Sequence, residues 1–178
     1  MKIPLKPHSL DLSQKWPKKI IIHHTEELFL NNAALKFSRN TFQTSLLQKS
    51  HYQLTNSYDL PYHFVLDKNQ NDYFIIACKP ILTLCEFPDI PESNWKDIHV
   101  AVIGDHNEDI PENRMYDVLS YRILAPFLRL FNLSMEDVIL HRDVSFDDTR
   151  TCPGEFFRIE KLRASLRKFY RRRSIARR

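Results

Sequence analysis

Three separate places in the chain carry side chains that bind metal ions well. His23 and His24 follow the apolar run at 20–22, His141 follows a second apolar segment, and Cys152 lies in the stretch after it. Two imidazoles and a thiolate are good zinc ligands, and three protein ligands leave a fourth position for water, as in catalytic zinc sites. The set is the pattern of a catalytic rather than a structural zinc, although a histidine at a strand end is more often a hydrogen-bonded polar residue than a ligand.

The two adjacent histidines cannot both contribute to one site. Consecutive residues of a strand point to opposite faces of the sheet, so one of His23 and His24 faces the other candidate ligands and one faces away. Strand geometry alone does not say which of the two is the ligand.

Short β-branched segments and longer helical ones alternate along the chain and must position these side chains. A strand that runs into the histidine pair, a hairpin, and a strand stopped by Gly104 all have the composition of a buried sheet. We predict these elements in chain order: a strand at 20–25, a helix within 35–50, a hairpin of strands 60–67 and 73–77, a strand at 98–103, and a final helix at 156–173.

A further helix is predicted to begin near Pro111 and Glu112, after the capping residue Asp109. Pro126 lies inside it and must kink or split it. The apolar residues of this helix recur at helical spacing on one face: Tyr116, Leu119, Ile123, Phe127 and Leu130.

This alternation predicts the α/β class: a single domain with a mixed central β-sheet flanked by helices. We divide the 178 residues into an N-terminal extension at 1–17, a catalytic domain at 18–162 and a basic C-terminal helix or tail at 163–178. No apolar run is long enough to cross a membrane. With only two glycines, Gly-rich phosphate-binding loops are excluded.

The remaining two cysteines, Cys78 and Cys85, are interpreted as reduced core residues, although in an oxidising compartment they could pair. Charge is distributed unevenly. Eight of the 26 basic residues and none of the 22 acidic ones lie between Arg163 and Arg178, which leaves a body of net charge −4. This tail either contacts anionic surfaces or is a solvated helix end.

Five sequence motifs, in this order and spacing, resemble the zinc-dependent N-acetylmuramoyl-L-alanine amidases, a family that includes amidase-type phage lysozymes and peptidoglycan recognition proteins. The resemblance extends from about residue 18 to 158. The motifs are Ile-Ile-Ile-His-His-Thr at 20–25, Tyr-His-Phe-Val-Leu-Asp at 62–67, Val-Ala-Val-Ile-Gly at 100–104, His-Arg-Asp-Val-Ser at 141–145 and Thr-Cys-Pro-Gly at 151–154.

The resemblance implies that His23, His141 and Cys152 bind zinc and that Tyr62 is the active-site tyrosine. His63, next to Tyr62, is expected on the opposite face. Arg150 stands where many relatives have a lysine or threonine, and we interpret it as a stabiliser of the developing oxyanion.

The chain also departs from the family pattern. Many relatives carry a glutamate on the strand aligned with 100–103, where this chain has only apolar residues. Pro61 replaces the glycine that usually precedes the tyrosine. Asp143 either orients an imidazole or caps a turn.

The implied function is zinc-dependent hydrolysis of the amide between N-acetylmuramic acid and L-alanine, in peptidoglycan or its soluble fragments. Two alternatives stay open: a peptidoglycan-binding module without catalysis, and a protein that binds its partner through the basic tail. No specific nucleic acid is expected, because aromatic residues are sparse in the tail. The location would be cytoplasmic if the chain is complete, and periplasmic or secreted if a leader was removed.

Overall fold

A computed structural model describes residues 17–25, 60–69 and 71–175 of the chain. Five segments of this part, each rich in apolar or β-branched residues, form one sheet. The strands are β1 (Ile20–His24), β2 (Phe64–Asn69), β3 (Asp72–Ala77), β4 (Ile98–Val102) and β5 (Val138–Leu140).

The sheet is mixed, with the strand order β3-β2-β4-β1-β5. Among these five strands, β2 and β3 pair antiparallel, whereas β1 pairs parallel with both β4 and β5, and β2 pairs parallel with β4. Every residue of β1 is buried. Because the carboxyl ends of parallel strands meet at one edge of a sheet, the residues that end or follow β1, β4 and β5 are brought together there.

Helices cover one face of the sheet. A continuous helical segment consists of α1 (Asn113–Val118), a π-helical stretch (Leu119–Leu124) and α2 (Ala125–Leu130), and α3 (Ile159–Ile175) lies beside it. Short 3₁₀ turns occupy Glu92–Asn94, Met135–Asp137 and His141–Asp143.

Two core clusters lie on the two faces of the sheet. Ile20 and Ile22 of β1 point toward the helices, whereas Ile21, between them, belongs to a second cluster on the other face. This alternation is the ordinary consequence of strand geometry. The second cluster contains Leu60, Tyr62, Val65, Cys85, Phe87, Ile90, Ala101 and Ile103.

The predicted fold class is confirmed, and β1, β3 and β4 lie where they were predicted, whereas β5 was not predicted. β2 begins at Phe64 instead of residue 60, because the chain before it lies in an irregular segment. The helix predicted within 35–50 lies outside the described residues. Cys78 and Cys85, the two cysteines that are not candidate ligands, form no disulfide in the structure; Cys85 is buried and Cys78 half-buried.

The helix at 113–130 differs from its prediction in one respect. Leu130, expected on the buried face, is 65% exposed, whereas Leu128 is buried. A π-helical stretch holds more residues in each turn than an α-helix, so the buried face shifts along the sequence after it. Pro126 lies just after the π-helical stretch, so the hydrogen-bonding pattern of the continuous helix changes where the proline lacks an N–H.

The boundary predicted between 162 and 163 falls inside α3. Leu162 and Leu166 are fully buried against the helix-covered face of the sheet, and Phe169 and Tyr170 pack at its margin. The first half of the basic segment therefore contributes to the packing of the domain. Among the described residues, no helix is both long enough and apolar enough to cross a bilayer.

Candidate metal centre

The three predicted ligands come together at the carboxyl edge of the sheet. His23 is next to the last residue of β1, His141 follows β5 directly, and Cys152 lies in the loop beyond it. One donor atom from each of the three lies within 4.8 Å of the others, and all three residues are buried. Parallel pairing of β1 with β5 positions the two imidazoles, although they lie 118 positions apart in sequence.

His24 lies on the other side of the sheet from this group. His23 shares the side of the second core cluster, where its ring stacks on Phe87 at 4.6 Å between ring centroids and lies 5.4 Å from Tyr62. His24 Nδ1 instead accepts the backbone N–H of His106 over 3.3 Å. The strand alternation thus separates the two histidines as predicted, and the structure, unlike the sequence, indicates which one faces the other candidate ligands.

Backbone contacts hold the loop that carries Cys152. Arg142 Nη1 donates to the carbonyl oxygens of Thr151 (3.1 Å) and Gly154 (2.8 Å), and the Arg142 N–H donates to the Cys152 carbonyl over 2.9 Å. The backbone N–H of His24 donates to Cys152 Sγ over 3.4 Å. A hydrogen bond donated to the sulfur favours the thiolate over the thiol. The thiolate is the form that binds metals.

Burial keeps the two candidate imidazoles neutral. Removal from water lowers the pKa of His23 well below its usual value, and the neighbouring His141 and His99 lower it further. Burial also lowers the pKa of His141, although the Asp89 carboxylate opposes this shift. Neutral imidazoles are the protonation state that a metal requires, so the pair is ready to bind without first losing protons.

A carboxylate borders the site from the loop between β3 and β4. Asp89 Oδ2 lies 3.1 Å from His141 Nε2 and accepts a hydrogen bond from Arg150 Nε over 2.9 Å. Asp143, the predicted imidazole partner or turn cap, accepts the backbone N–H of Leu140 over 3.1 Å and therefore caps the turn after β5.

Tyr62 lines the same side of the site as His23. It is only 6% exposed, and burial, with a smaller effect of Cys152, raises the pKa of its phenol above the usual value. Its hydroxyl therefore stays protonated and is able to donate a hydrogen bond. The expected opposite orientation of His63 is wrong: β2 begins only at Phe64, and His63 Nδ1 lies 3.3 Å from the sulfur of Cys85, a member of the same core cluster as Tyr62.

The sequence profile of the N-acetylmuramoyl-L-alanine amidase family matches residues 13–155. The chain belongs to this family. Comparison with curated proteins gives no match.

Solved structures support the same fold. The N-acetylmuramoyl-L-alanine amidase LysC from Clostridium intestinale is similar at a TM-score of 0.58, with 21% identity and 85% of each chain covered. The Drosophila peptidoglycan recognition protein SD is similar at a TM-score of 0.56, with 19% identity over 80% of this chain and 78% of its own chain. PGRP-SA of Apis mellifera is similar at a TM-score of 0.55, with 22% identity over 79% of this chain and 78% of its own chain.

The donor set of this amidase-family chain fits zinc. A soft thiolate with two imidazoles is a typical zinc combination, and three protein ligands are the usual number in catalytic sites. The clustering of three buried donor atoms within 4.8 Å, two of them on neutral rings, is the structural observation that supports this fit.

Sequence reasoning missed Asp89, His99 and Phe87, which all lie at the site. Asp89 and Phe87 belong to the irregular stretch at 78–97, which has no periodicity from which to predict a contact. His99 is on β4, and only the register, which pairs Ile21 with His99 and His23 with Ala101, shows that it lies beside His23. Ala101, which pairs with His23, brings no carboxylate from the strand, whereas Asp89 brings one from a loop.

Proposed function

We propose that this chain hydrolyses the amide bond between N-acetylmuramic acid and L-alanine in peptidoglycan or its fragments. The observation that supports the proposal most directly is the buried cluster of His23, His141 and Cys152, at the carboxyl edge of a sheet with the fold of the amidase family. Ligands of open α/β sheets bind at this edge.

In this proposal His23, His141 and Cys152 hold a zinc ion. When bound, zinc acts as a Lewis acid that polarises the scissile carbonyl and makes hydroxide accessible at neutral pH. Three properties of the site favour that chemistry. The imidazoles are neutral, the sulfur accepts a backbone hydrogen bond, and burial excludes bulk water.

Tyr62 and Arg150 are the two side chains proposed to act on the substrate. The buried phenol of Tyr62 donates a hydrogen bond, and its raised pKa prevents it from serving as a base. Arg150 brings a permanent positive charge that favours the oxyanion formed when the amide carbonyl is attacked. Asp89 fixes the guanidinium by accepting from Nε over 2.9 Å, so the arginine is oriented before substrate arrives.

A non-catalytic peptidoglycan-binding protein is the alternative, since the fold is shared with peptidoglycan recognition proteins. The two functions differ in their products. Purified sacculi and soluble muropeptides should be digested side by side and the products identified by mass spectrometry, with release of L-alanine-terminated peptides as the expected result.

The matched control is Cys152→Ser, which keeps the size of the side chain but replaces a thiolate by a far poorer zinc ligand. We expect about one zinc per chain in the parent by elemental analysis, and reduced zinc with loss of hydrolysis in the variant. Binding to sacculi without release of peptide, in a parent that contains zinc, would favour the recognition function instead.

A further inference from the structure

Behind His23 lies a second buried imidazole that the proposed reaction does not use. His99, on β4, is fully buried, and its Nδ1 lies 2.9 Å from His23 Nε2. On its other side, His99 Nε2 lies 2.9 Å from the backbone carbonyl oxygen of Asn94. The three groups form a line from a backbone carbonyl through one ring to the next.

The carbonyl at the end of this line determines the direction of every hydrogen bond in it. A carbonyl oxygen only accepts, so His99 Nε2 carries the proton. Full burial disfavours the charged imidazolium, so His99 Nδ1 keeps its lone pair and accepts. His23 Nε2 must then be the donor, which leaves the lone pair of His23 on Nδ1.

The position of the His99 ring is itself fixed. The backbone N–H of His99 donates to His63 Nδ1 over 3.0 Å, and the other nitrogen of His63 lies 3.1 Å from the carbonyl oxygen of Thr83. Phe87 stacks on both imidazoles, 4.6 Å from the centroid of His23 and 4.8 Å from that of His99. The acceptor for His23 is therefore held in place by packing and by backbone groups.

We propose that His99 is a positioning residue that fixes His23 in the tautomer with its proton on Nε2, so that Nδ1 is the nitrogen presented to the metal. This inference rests on the metal centre of the proposed function but not on hydrolysis. Partners that bind the second nitrogen of a metal-ligating histidine fix its orientation and raise its basicity, and their loss typically weakens metal binding by about 10- to 100-fold.

The test uses three variants of the full chain. His99→Leu removes the acceptor, and its zinc affinity, measured by competition with a chelator, should fall by about 10- to 100-fold. His99→Asn places an amide oxygen near the position of Nδ1 and should restore most of the affinity. Val100→Ala trims a buried side chain of the same strand that faces the helices and not the site, so its zinc affinity should stay close to that of the parent.

The tautomer is read directly from ¹⁵N chemical shifts of the His23 ring in the zinc-free parent. We expect a protonated Nε2 and an unprotonated Nδ1, and a mixture of tautomers in His99→Leu. A proton on Nδ1 of the parent would overturn the proposal even if the leucine variant failed to fold. Undiminished zinc affinity in a folded His99→Leu, or a parent that binds no zinc, would also overturn it. A parent that binds zinc but hydrolyses nothing would contradict the proposed function alone.

Discussion

Arg150 Nε donates to Asp89 Oδ2 over 2.9 Å, and these two residues lie 61 positions apart in sequence. The same carboxylate oxygen lies 3.1 Å from His141 Nε2. A single loop residue thus contacts both the proposed oxyanion-stabilising group and a proposed metal ligand. Asp89 is 14% exposed, so solvent screens these contacts less than it would on an open surface.

Asp89→Asn should lower both zinc affinity and hydrolysis, each by about 10- to 100-fold, because the amide neither balances the arginine charge nor raises the basicity of His141. Chelator competition and muropeptide turnover measure the two effects. The matched control is Asp147→Asn, which neutralises a fully exposed carboxylate nearby and should change neither quantity. If Asp89→Asn and Asp147→Asn had the same zinc affinity and the same turnover, Asp89 would have no role in the site.

Tyr62→Phe should reduce turnover while zinc content stays unchanged, because only the donated hydrogen bond is lost. Removing one oxyanion-stabilising donor costs on the order of 100-fold in turnover number. Burial raises the pKa of Tyr62 above its usual value, so the donor persists as pH increases through 10. A decline in parent activity that follows an ionisation near pH 10 and is absent from the phenylalanine variant would contradict this assignment.

Strands β1 to β4 and the candidate ligand set could be predicted because their signals are local. β1 is a short β-branched run, and His23, His141 and Cys152 belong to compact motifs that a single sequence displays. The residues that face the core after the π-helical stretch could not be predicted, since this stretch, which moves Leu130 to the surface, has no distinct composition.

The partners of the candidate ligands could not be predicted either, because they depend on the register between strands and on an irregular loop. His99 contacts His23 only because β4 pairs with β1 in the observed register. Asp89 contacts His141 through a loop with no repeating pattern. Conversely, Asp143, adjacent in sequence to the histidine motif, caps a turn. Proximity in sequence to a ligand is therefore a poor guide to which residue orients it.

His23→Ala should abolish zinc binding and hydrolysis, whereas His24→Asn should leave most of both. The two side chains lie on opposite faces, and asparagine keeps an acceptor for the backbone N–H of His106. Zinc content and muropeptide turnover of the two variants test this directly. The reverse pattern, with the His24 variant inactive, would mean that the register of β1 is shifted by one residue.

Acidification should destabilise the zinc-free protein below about pH 6.5. Burial lowers the pKa of His24 and of His99 to about 3, and it lowers those of His63 and His106 as well. The unfolded chain takes up these protons near pH 6.5 and the folded chain does not, so stability is complete above that value and is lost as the pH falls toward about 3.

Each of these histidines lowers the free energy of unfolding by up to about 1.4 kcal/mol for every pH unit of acidification below about 6.5. Urea unfolding at pH 7.5, 6.5 and 5.5 measures the slope, and His106→Gln should reduce it by the share of one histidine. An unfolding free energy that does not change between pH 7.5 and 5.5 would contradict the prediction.

The basic end of α3 should affect hydrolytic activity only on anionic, insoluble substrates. Replacing Arg171, Arg172 and Arg173 by glutamine removes three charges and keeps Phe169 and Tyr170, which pack against the core. Turnover of a soluble muropeptide should barely change, because α3 packs on the helix-covered face of the sheet, whereas the ring of His23 lies on the other face. Activity on sacculi should fall, and most at low salt: the Debye length is about 30 Å at 0.01 M and about 8 Å at physiological ionic strength.

The matched control for the arginine cluster replaces the same three residues by lysine, which keeps the charge and should preserve activity on sacculi. Rates on both substrates are compared at low and physiological ionic strength, with the unfolding free energy of each variant measured alongside. Equal losses on soluble and insoluble substrates in the glutamine variant would indicate a structural role of these arginines. A loss that the lysine variant shares would point to specific guanidinium contacts, because a purely electrostatic attraction depends on charge and is insensitive to the shape of the cation.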